Sequence, residues 1–73
     1  MTEIQILAAF LKETRKKPGE SQIDFAANCG ISVECLSFLE RGLSDPTMKT
    51  LQKIAAYTGY TVADMLTPPD ARE

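Results

Sequence analysis

The segment that most constrains how this chain can fold is residues 21–46, SQIDFAANCGISVECLSFLERGLSDP. Its pattern predicts two short helices joined by a tight turn. Ser21 and Asp24 have the spacing of a capping box at the start of the first of these helices, and Ser32 can cap the second. Gly30 stands between them, where a sharp turn needs a positive φ that glycine adopts without steric cost. The segment therefore predicts a helix-turn-helix, a motif whose second helix can enter a DNA groove.

The second helix of this motif has two faces of different character. Three apolar residues at helical spacing, Cys35, Leu36 and Leu39, are expected to pack inward. The other face is expected to point outward, and it consists of Val33, Glu34, Ser37, Phe38 and Arg41. Residues 33–38 are therefore the predicted centre of a surface that could enter a groove.

The rest of the chain predicts three more helices. Capping-box spacing at Thr2 and Gln5 starts a first helix that runs to about Lys17. A fourth helix is expected between Thr47 and Gly59, and a short fifth helix follows it. The residues expected to face the core are Ile4, Leu7, Phe10, Leu11 and Thr14 in the first helix, Met48, Leu51, Ile54, Ala55 and Thr58 in the fourth, and Val62, Met65 and Leu66 in the fifth.

Length and helix content together predict the domain organisation. Seventy-three residues are enough for one domain. We expect an all-α fold, a compact five-helix domain over residues 1–67, in which helices 2 and 3 form the helix-turn-helix. Residues 68–73 begin with two prolines that end regular structure, and we expect them to form a C-terminal tail.

Composition narrows the function classes. The chain has no histidine, so the common catalytic triad and a cysteine–histidine zinc site each lack a component. Cys29 and Cys35 are expected to be small buried apolar residues instead of metal ligands. No long apolar run or secretory signal pattern occurs. We therefore expect no enzymatic activity, no metal or other cofactor, no small-molecule ligand, no membrane association and a cytoplasmic location.

A set of residues spread over most of the chain matches the pattern of a known family. The set comprises Arg15, Gln22, Ala26, Gly30, Leu36, Glu40, Arg41, Gly42, Pro46, Leu51, Ile54, Ala55, Gly59 and Leu66. On these residues the chain resembles the lambda-repressor-like (Cro/C1, Xre-type) helix-turn-helix DNA-binding domains from residue 11 to residue 66. The resemblance implies a transcriptional regulator that binds double-stranded DNA.

The resemblance also implies roles for individual residues. Arg15 and Glu40 match a largely buried ion pair that ties the first helix to the end of the third. Gln22 matches a position that touches a phosphate or a base. The positions that match the major-groove face are Ser32, Val33, Glu34, Ser37 and Phe38. The positions that match the stretch flanking the phosphates are Arg41, Leu43, Ser44 and Lys49.

The charge of the motif is unusual for a DNA-binding surface. Residues 18–46 contain five acidic residues, and Arg41 is their only basic residue. Phosphate neutralisation supplies most non-specific affinity for DNA, so binding is expected to be weak and salt-sensitive unless nearby lysines frame the site. Those lysines are Lys16, Lys17, Lys49 and Lys53.

Two functions therefore stay open. The leading one is a sequence-specific regulator that binds a palindromic operator as a homodimer, with dimer contacts on helices 4 and 5 around Tyr57, Tyr60 and Val62. Repression and activation are equally compatible with it. The alternative is a protein-interaction module on the same fold with weak or no DNA binding, in which Val33, Phe38 and Leu43 form the docking patch.

Overall fold

The computed structural model describes residues 2–71, and these form five α-helices and one short 3₁₀ helix. The elements are α1 (Glu3–Lys16), α2 (Gln22–Cys29), α3 (Val33–Glu40), α4 (Met48–Thr58), α5 (Val62–Met65) and the 3₁₀ helix Pro69–Ala71. No strand occurs between residues 2 and 71. The predicted all-α, five-helix architecture is confirmed. No helix in this part of the chain is both long and apolar enough to cross a membrane.

Each α-helix is preceded by a serine or threonine whose hydroxyl accepts a hydrogen bond from the backbone N–H three residues later. These N-caps are Thr2, Ser21, Ser32, Thr47 and Thr61, with donor–acceptor distances of 3.0–3.2 Å. Gly30 ends α2 with φ 80°, as the turn requires. All five caps therefore form, although at α2 the Asp24 side chain does not return the hydrogen bond that the predicted capping box requires. Losing one such cap costs about 1 kcal/mol.

The core lies between the five α-helices, and α4 completes it by packing against α2 and α5. Helix α1 packs against α3 and α5, and α2 packs against α3 and α4. The largest fully buried side chains are Leu7, Phe10, Leu11, Phe25, Leu36, Leu39, Ile54 and Met65. This arrangement buries the inner face of α3 and leaves its opposite face at the surface.

Several sequence expectations differ from the structure. Met48 was expected to face the core, but its side chain is 59% exposed because the first residue of α4 lies beyond the core edge. Conversely, Ile6 and Ala8 are buried, since α1 is covered from two sides. Cys29 is buried as expected, whereas Cys35 is only half-buried. The predicted tail contains the 3₁₀ helix, and its last two positions, 72 and 73, lie outside the described residues.

Candidate nucleic-acid interface

A buried carboxylate anchors the inner side of the helix-turn-helix. Glu40, the last residue of α3, accepts two hydrogen bonds from Arg15: Nε to Oε2 at 2.8 Å and Nη2 to Oε1 at 2.9 Å. The Arg15 side chain is 16% exposed and that of Glu40 is 3% exposed. Arg15 Nη1 also donates to the backbone carbonyl of Glu20 at 3.2 Å. The structure therefore brings together the two residues that the resemblance implies as an ion pair, and it ties α1 to both ends of the motif.

Gln22, the first residue of α2, is the third member of this network. Its Nε2 donates to Glu40 Oε1 at 3.1 Å. Burial alone would raise the pKa of Glu40, but the hydrogen bonds from Arg15 and Gln22, together with the charges of Arg15 and Lys12, hold that pKa below its ordinary value. The carboxylate is therefore ionised at neutral pH and can only accept. Gln22 must turn its NH₂ group toward it, which leaves the amide oxygen on the other side.

The opposite face of α3 borders a shallow cleft of about 370 Å³ at the surface. Its lining residues are Gln22, Val33, Glu34, Ser37, Phe38 and Arg41. Residues 34, 37, 38 and 41 have the three- and four-residue spacing of a single helical face. The Phe38 side chain is 45% exposed, and the Arg41 guanidinium lies over its ring, 5.9 Å from the centroid. Six of the nine residues predicted to contact DNA therefore surround one cleft.

Val33 is less exposed than its predicted role required. It is half-buried and packs against the core, so only part of its side chain reaches the cleft. Phe38 is therefore the main apolar group that this face offers. The reason is local, since Val33 begins α3 directly after the turn, where the chain is still close to the core.

The other three predicted DNA-contacting residues lie apart from the cleft. Ser32 is exposed, and its Oγ is engaged as the N-cap of α3 by the backbone N–H of Cys35 at 3.1 Å. Ser44 is half-buried in a separate small cleft that includes Ile4 and Leu43. Lys49 is exposed in the first turn of α4 and lines neither of these clefts. These three residues therefore do not line the cleft on the α3 face.

The lysines expected to frame the site fall into two groups. Lys53 reaches the turn of the motif, where its Nζ donates to the backbone carbonyl of Gly30 at 3.2 Å. Lys49 lies one helical turn before it. In contrast, Lys16 and Lys17 line a different cleft of about 570 Å³, between the end of α1 and Tyr60. Of these four lysines, Lys53 of α4 is the one that the structure places against the turn.

A polar cluster that the sequence did not predict joins α2 to α4. Tyr57 Oη donates to Glu20 Oε2 at 2.7 Å, and Asn28 Nδ2 donates to the same oxygen at 2.7 Å. The hydrogen bond to Glu20 is the main reason that the pKa of Tyr57 is raised. The ring of Tyr57 also packs edge-on against Phe25 with centroids 5.4 Å apart. No local signal could have revealed this cluster, because its members are up to 37 residues apart.

Comparison with known proteins shows the family to which this fold belongs. The family model described as Helix-turn-helix matches residues 11–65. The chain therefore belongs to the Cro/C1-type helix-turn-helix family. This class fits the capped helices, the glycine turn and the exposed face of α3.

Two relatives and two solved structures are similar over most of the chain. The HTH-type transcriptional regulator DdrOP3 of Deinococcus deserti is 45% identical over 56 residues, which are 77% of this chain and 43% of that protein. The uncharacterized HTH-type transcriptional regulator y4dJ of Sinorhizobium fredii is 38% identical over 56 residues, 77% of this chain and 73% of that protein. The chain thus spans less than half the length of the first relative.

Both solved structures share the fold closely. The hypothetical transcription factor NHTF from Neisseria has a TM-score of 0.84 at 28% identity and aligns with 92% of this chain and 75% of its own. The clp gene regulator ClgR from Corynebacterium glutamicum has a TM-score of 0.77 at 29% identity and aligns with 90% of this chain and 70% of its own. All four proteins carry the names of transcriptional regulators or transcription factors, and no enzyme is among them.

Proposed function

We propose that the chain is a sequence-specific regulator of transcription that binds double-stranded DNA by inserting the outer face of α3 into the major groove. The observation that carries the proposal is the convergence of six predicted contact residues on one cleft of that face. Membership of the helix-turn-helix family supports it. So do the names of the relatives as transcriptional regulators.

The dimensions of α3 suit this role. A helix of eight residues is about 12 Å long, and the major groove is about 12 Å wide. The face from Glu34 to Arg41 extends about 10 Å along the helix axis, which corresponds to about three base steps of 3.4 Å. One domain can therefore read a few base pairs, with Gln22 at the start of α2 beside the backbone.

A palindromic operator bound by a homodimer is part of the proposal. The described domain measures 29 × 24 × 19 Å. Half-sites that face the same side of DNA are about 34–36 Å apart, so a single copy cannot occupy both. Helices α4 and α5 are the proposed contact, because Tyr57 and Tyr60 each remain more than 40% exposed there despite packing against Phe25 and Phe10.

The DNA-binding proposal is tested with duplexes selected from a random pool, followed by fluorescence polarisation across a salt series. Ser37→Asp places a negative charge in the cleft, and we expect it to weaken binding at least about tenfold. Gln5→Glu is the matched control, since it adds the same charge outside the cleft and a glutamate at this position keeps the capping box. Both variants should retain helical circular dichroism. Equal affinities of the two variants would contradict the proposal.

The dimer is tested separately by sedimentation of the protein with and without the selected duplex. Ala63→Glu adds a charge at an exposed position of α5, where it is compatible with the first turn of the helix. We expect it to shift the complex from two copies per duplex to one, with Gln5→Glu as the control. Two copies per duplex in Ala63→Glu would place the contact elsewhere.

The protein-interaction alternative keeps one observation in its favour. Phe38 and Leu43 are 45% and 60% exposed, and they are adjacent because the Leu43 N–H donates to the Phe38 carbonyl at 3.0 Å. An exposed apolar pair beside acidic residues also suits a protein partner. The salt series distinguishes the two functions, since DNA binding requires affinity to fall as salt rises. No enrichment of any duplex would favour the alternative.

A further inference from the structure

The cleft on α3 offers hydrogen-bond acceptors together with apolar surface. Glu34 is exposed, and its carboxylate makes no hydrogen bond or salt bridge with any residue between 2 and 71. The amide oxygen of Gln22 is also turned away from Glu40, because the NH₂ group faces that carboxylate. Phe38 supplies the exposed apolar group. Among residues 2–71, Arg41 is the only cationic residue that lines the cleft.

We infer that this cleft selects a cytosine whose N4 amine donates a hydrogen bond to the Glu34 carboxylate. A thymine within two base steps would place its methyl group against Phe38. This inference rests on the proposed function and specifies the base chemistry that the same site reads. It assigns Glu34 and Phe38 as specificity-determining residues. Glu34, one of the five acidic residues between positions 18 and 46, would then contribute directly to the reading of the bases.

The hydrogen-bonding pattern of the bases explains the choice of cytosine. In the major groove, guanine presents two acceptors, N7 and O6, which a carboxylate would repel. Adenine presents an amine beside the acceptor N7, so a carboxylate would be attracted and repelled at neighbouring atoms. Cytosine presents the N4 amine without an acceptor on the same base. A free carboxylate such as that of Glu34 therefore fits cytosine best.

The position of Phe38 is the reason that we expect a thymine close to the cytosine. Glu34 and Phe38 are four residues apart on one face of α3, which separates them by about 6 Å along the helix axis. This distance covers about two base steps of 3.4 Å. Thymine alone carries a methyl group on the major-groove edge, and an exposed ring can bury it. An apolar contact also needs no positive charge, and in the part of the chain that the structure describes Arg41 alone supplies one to this cleft.

The test starts from duplexes that the full chain selects from a random pool. We expect a cytosine in each half-site, and replacing it with any other base should weaken binding at least about fivefold. Glu34→Gln is expected to change the preferred base at that position from cytosine to adenine, since an amide can both accept from and donate to adenine. Glu13→Gln removes the same charge on α1, outside the cleft, and should leave the cytosine preference intact.

A second arm tests the methyl contact. Replacing the neighbouring thymine with uracil removes only the methyl group, and we expect roughly fourfold weaker binding by the unaltered chain. Phe38→Ala should bind the thymine and uracil duplexes equally. If duplexes are selected but Glu34→Gln keeps the cytosine preference, or uracil binds as well as thymine, the inference is wrong and the proposed function stands. If no duplex is selected, both fail.

Discussion

The two sides of α3 are built in opposite ways. On the inner side, Leu36 and Leu39 are buried and Glu40 is bonded to Arg15 and Gln22. On the outer side, Glu34 has no hydrogen-bond partner among the described residues, and Phe38 is about half exposed. The contrast separates the groups that hold the fold together from the proposed DNA-contacting groups, since they lie on different faces of one short helix. Changes on the inner side should therefore affect folding, and changes on the outer side should affect binding.

The largest expected effect is the loss of Arg15. Arg15→Ala leaves the Glu40 carboxylate buried without its main partner, and we expect the free energy of unfolding to fall by about 3–5 kcal/mol. A domain of this length has about 4–11 kcal/mol in total, so this loss is a large fraction of its stability. The measurement is urea unfolding followed by circular dichroism.

The double variant Arg15→Met/Glu40→Leu is the control for this prediction. It removes the whole pair and leaves no stranded charge, so it should be more stable than Arg15→Ala. If Arg15→Ala lowered the free energy of unfolding by less than about 1 kcal/mol, the ion pair would not be a main source of stability on the inner side of α3.

Acid should weaken the ion pair between Arg15 and Glu40. Because the pKa of Glu40 is lower in the folded protein than its ordinary value of 4.5, its contribution to stability is fully present above pH 4.5. The contribution is lost as pH falls through the lowered pKa, since the unfolded chain then binds the proton more readily. Urea unfolding between pH 3 and pH 7 should show this decline. Glu40→Gln should show a smaller decline, and an equal one would contradict the assignment.

Gln22 contacts Glu40 on the inner side of α3 and also lines the cleft on the outer side. Its loss should lower the free energy of unfolding by less than the loss of Arg15. Gln22→Ala removes one hydrogen bond to a charged group, so we expect about 1.5–3 kcal/mol lower stability. It should also weaken DNA binding, because Gln22 lines the cleft. Gln22→Glu would place a second carboxylate against Glu40 and should be less stable still. A Gln22→Ala protein with normal affinity for the selected duplex would assign the residue to the inner side alone.

The smallest expected effect on stability comes from the outer side. Phe38→Ala truncates a half-exposed ring, and we expect the free energy of unfolding to change by no more than about 0.5–1 kcal/mol. Its affinity for the selected duplex should nevertheless fall. Leu39→Ala, one residue along the same helix, is the matched contrast, since truncating this buried side chain should cost about 2–5 kcal/mol. Similar losses for the two variants would remove the distinction between the faces.

The helix starts and the turn could be predicted from the sequence, because each depends on residues that are close together in the chain. The N-caps Thr2, Ser32 and Thr61 each act on a residue three positions later, so spacing alone reveals them. The turn at Gly30 was predictable because a glycine between two helical patterns can adopt the positive φ that a sharp turn needs. The bond between Arg15 and Glu40 joins residues 25 positions apart, and only the family resemblance implied it.

Other contacts could not be predicted because they depend on how helices pack. The cluster of Glu20, Asn28 and Tyr57 forms only when α2 meets α4, and none of its members has a distinctive neighbour in the sequence. Helical periodicity assigned Met48 to the core, although α4 begins outside it. Periodicity gives the direction of a side chain but not the extent of the surface that covers it.

The most direct test of the central claim is a two-dimensional NMR titration of the full chain with its selected duplex. If the outer face of α3 enters the groove, the amides of Glu34, Ser37 and Phe38 should shift most, with Gln22 next. The amides around Tyr60, on the cleft beside the end of α1, should change little in a single-copy complex of Ala63→Glu. Shifts concentrated at that second cleft, with α3 unchanged, would contradict the account.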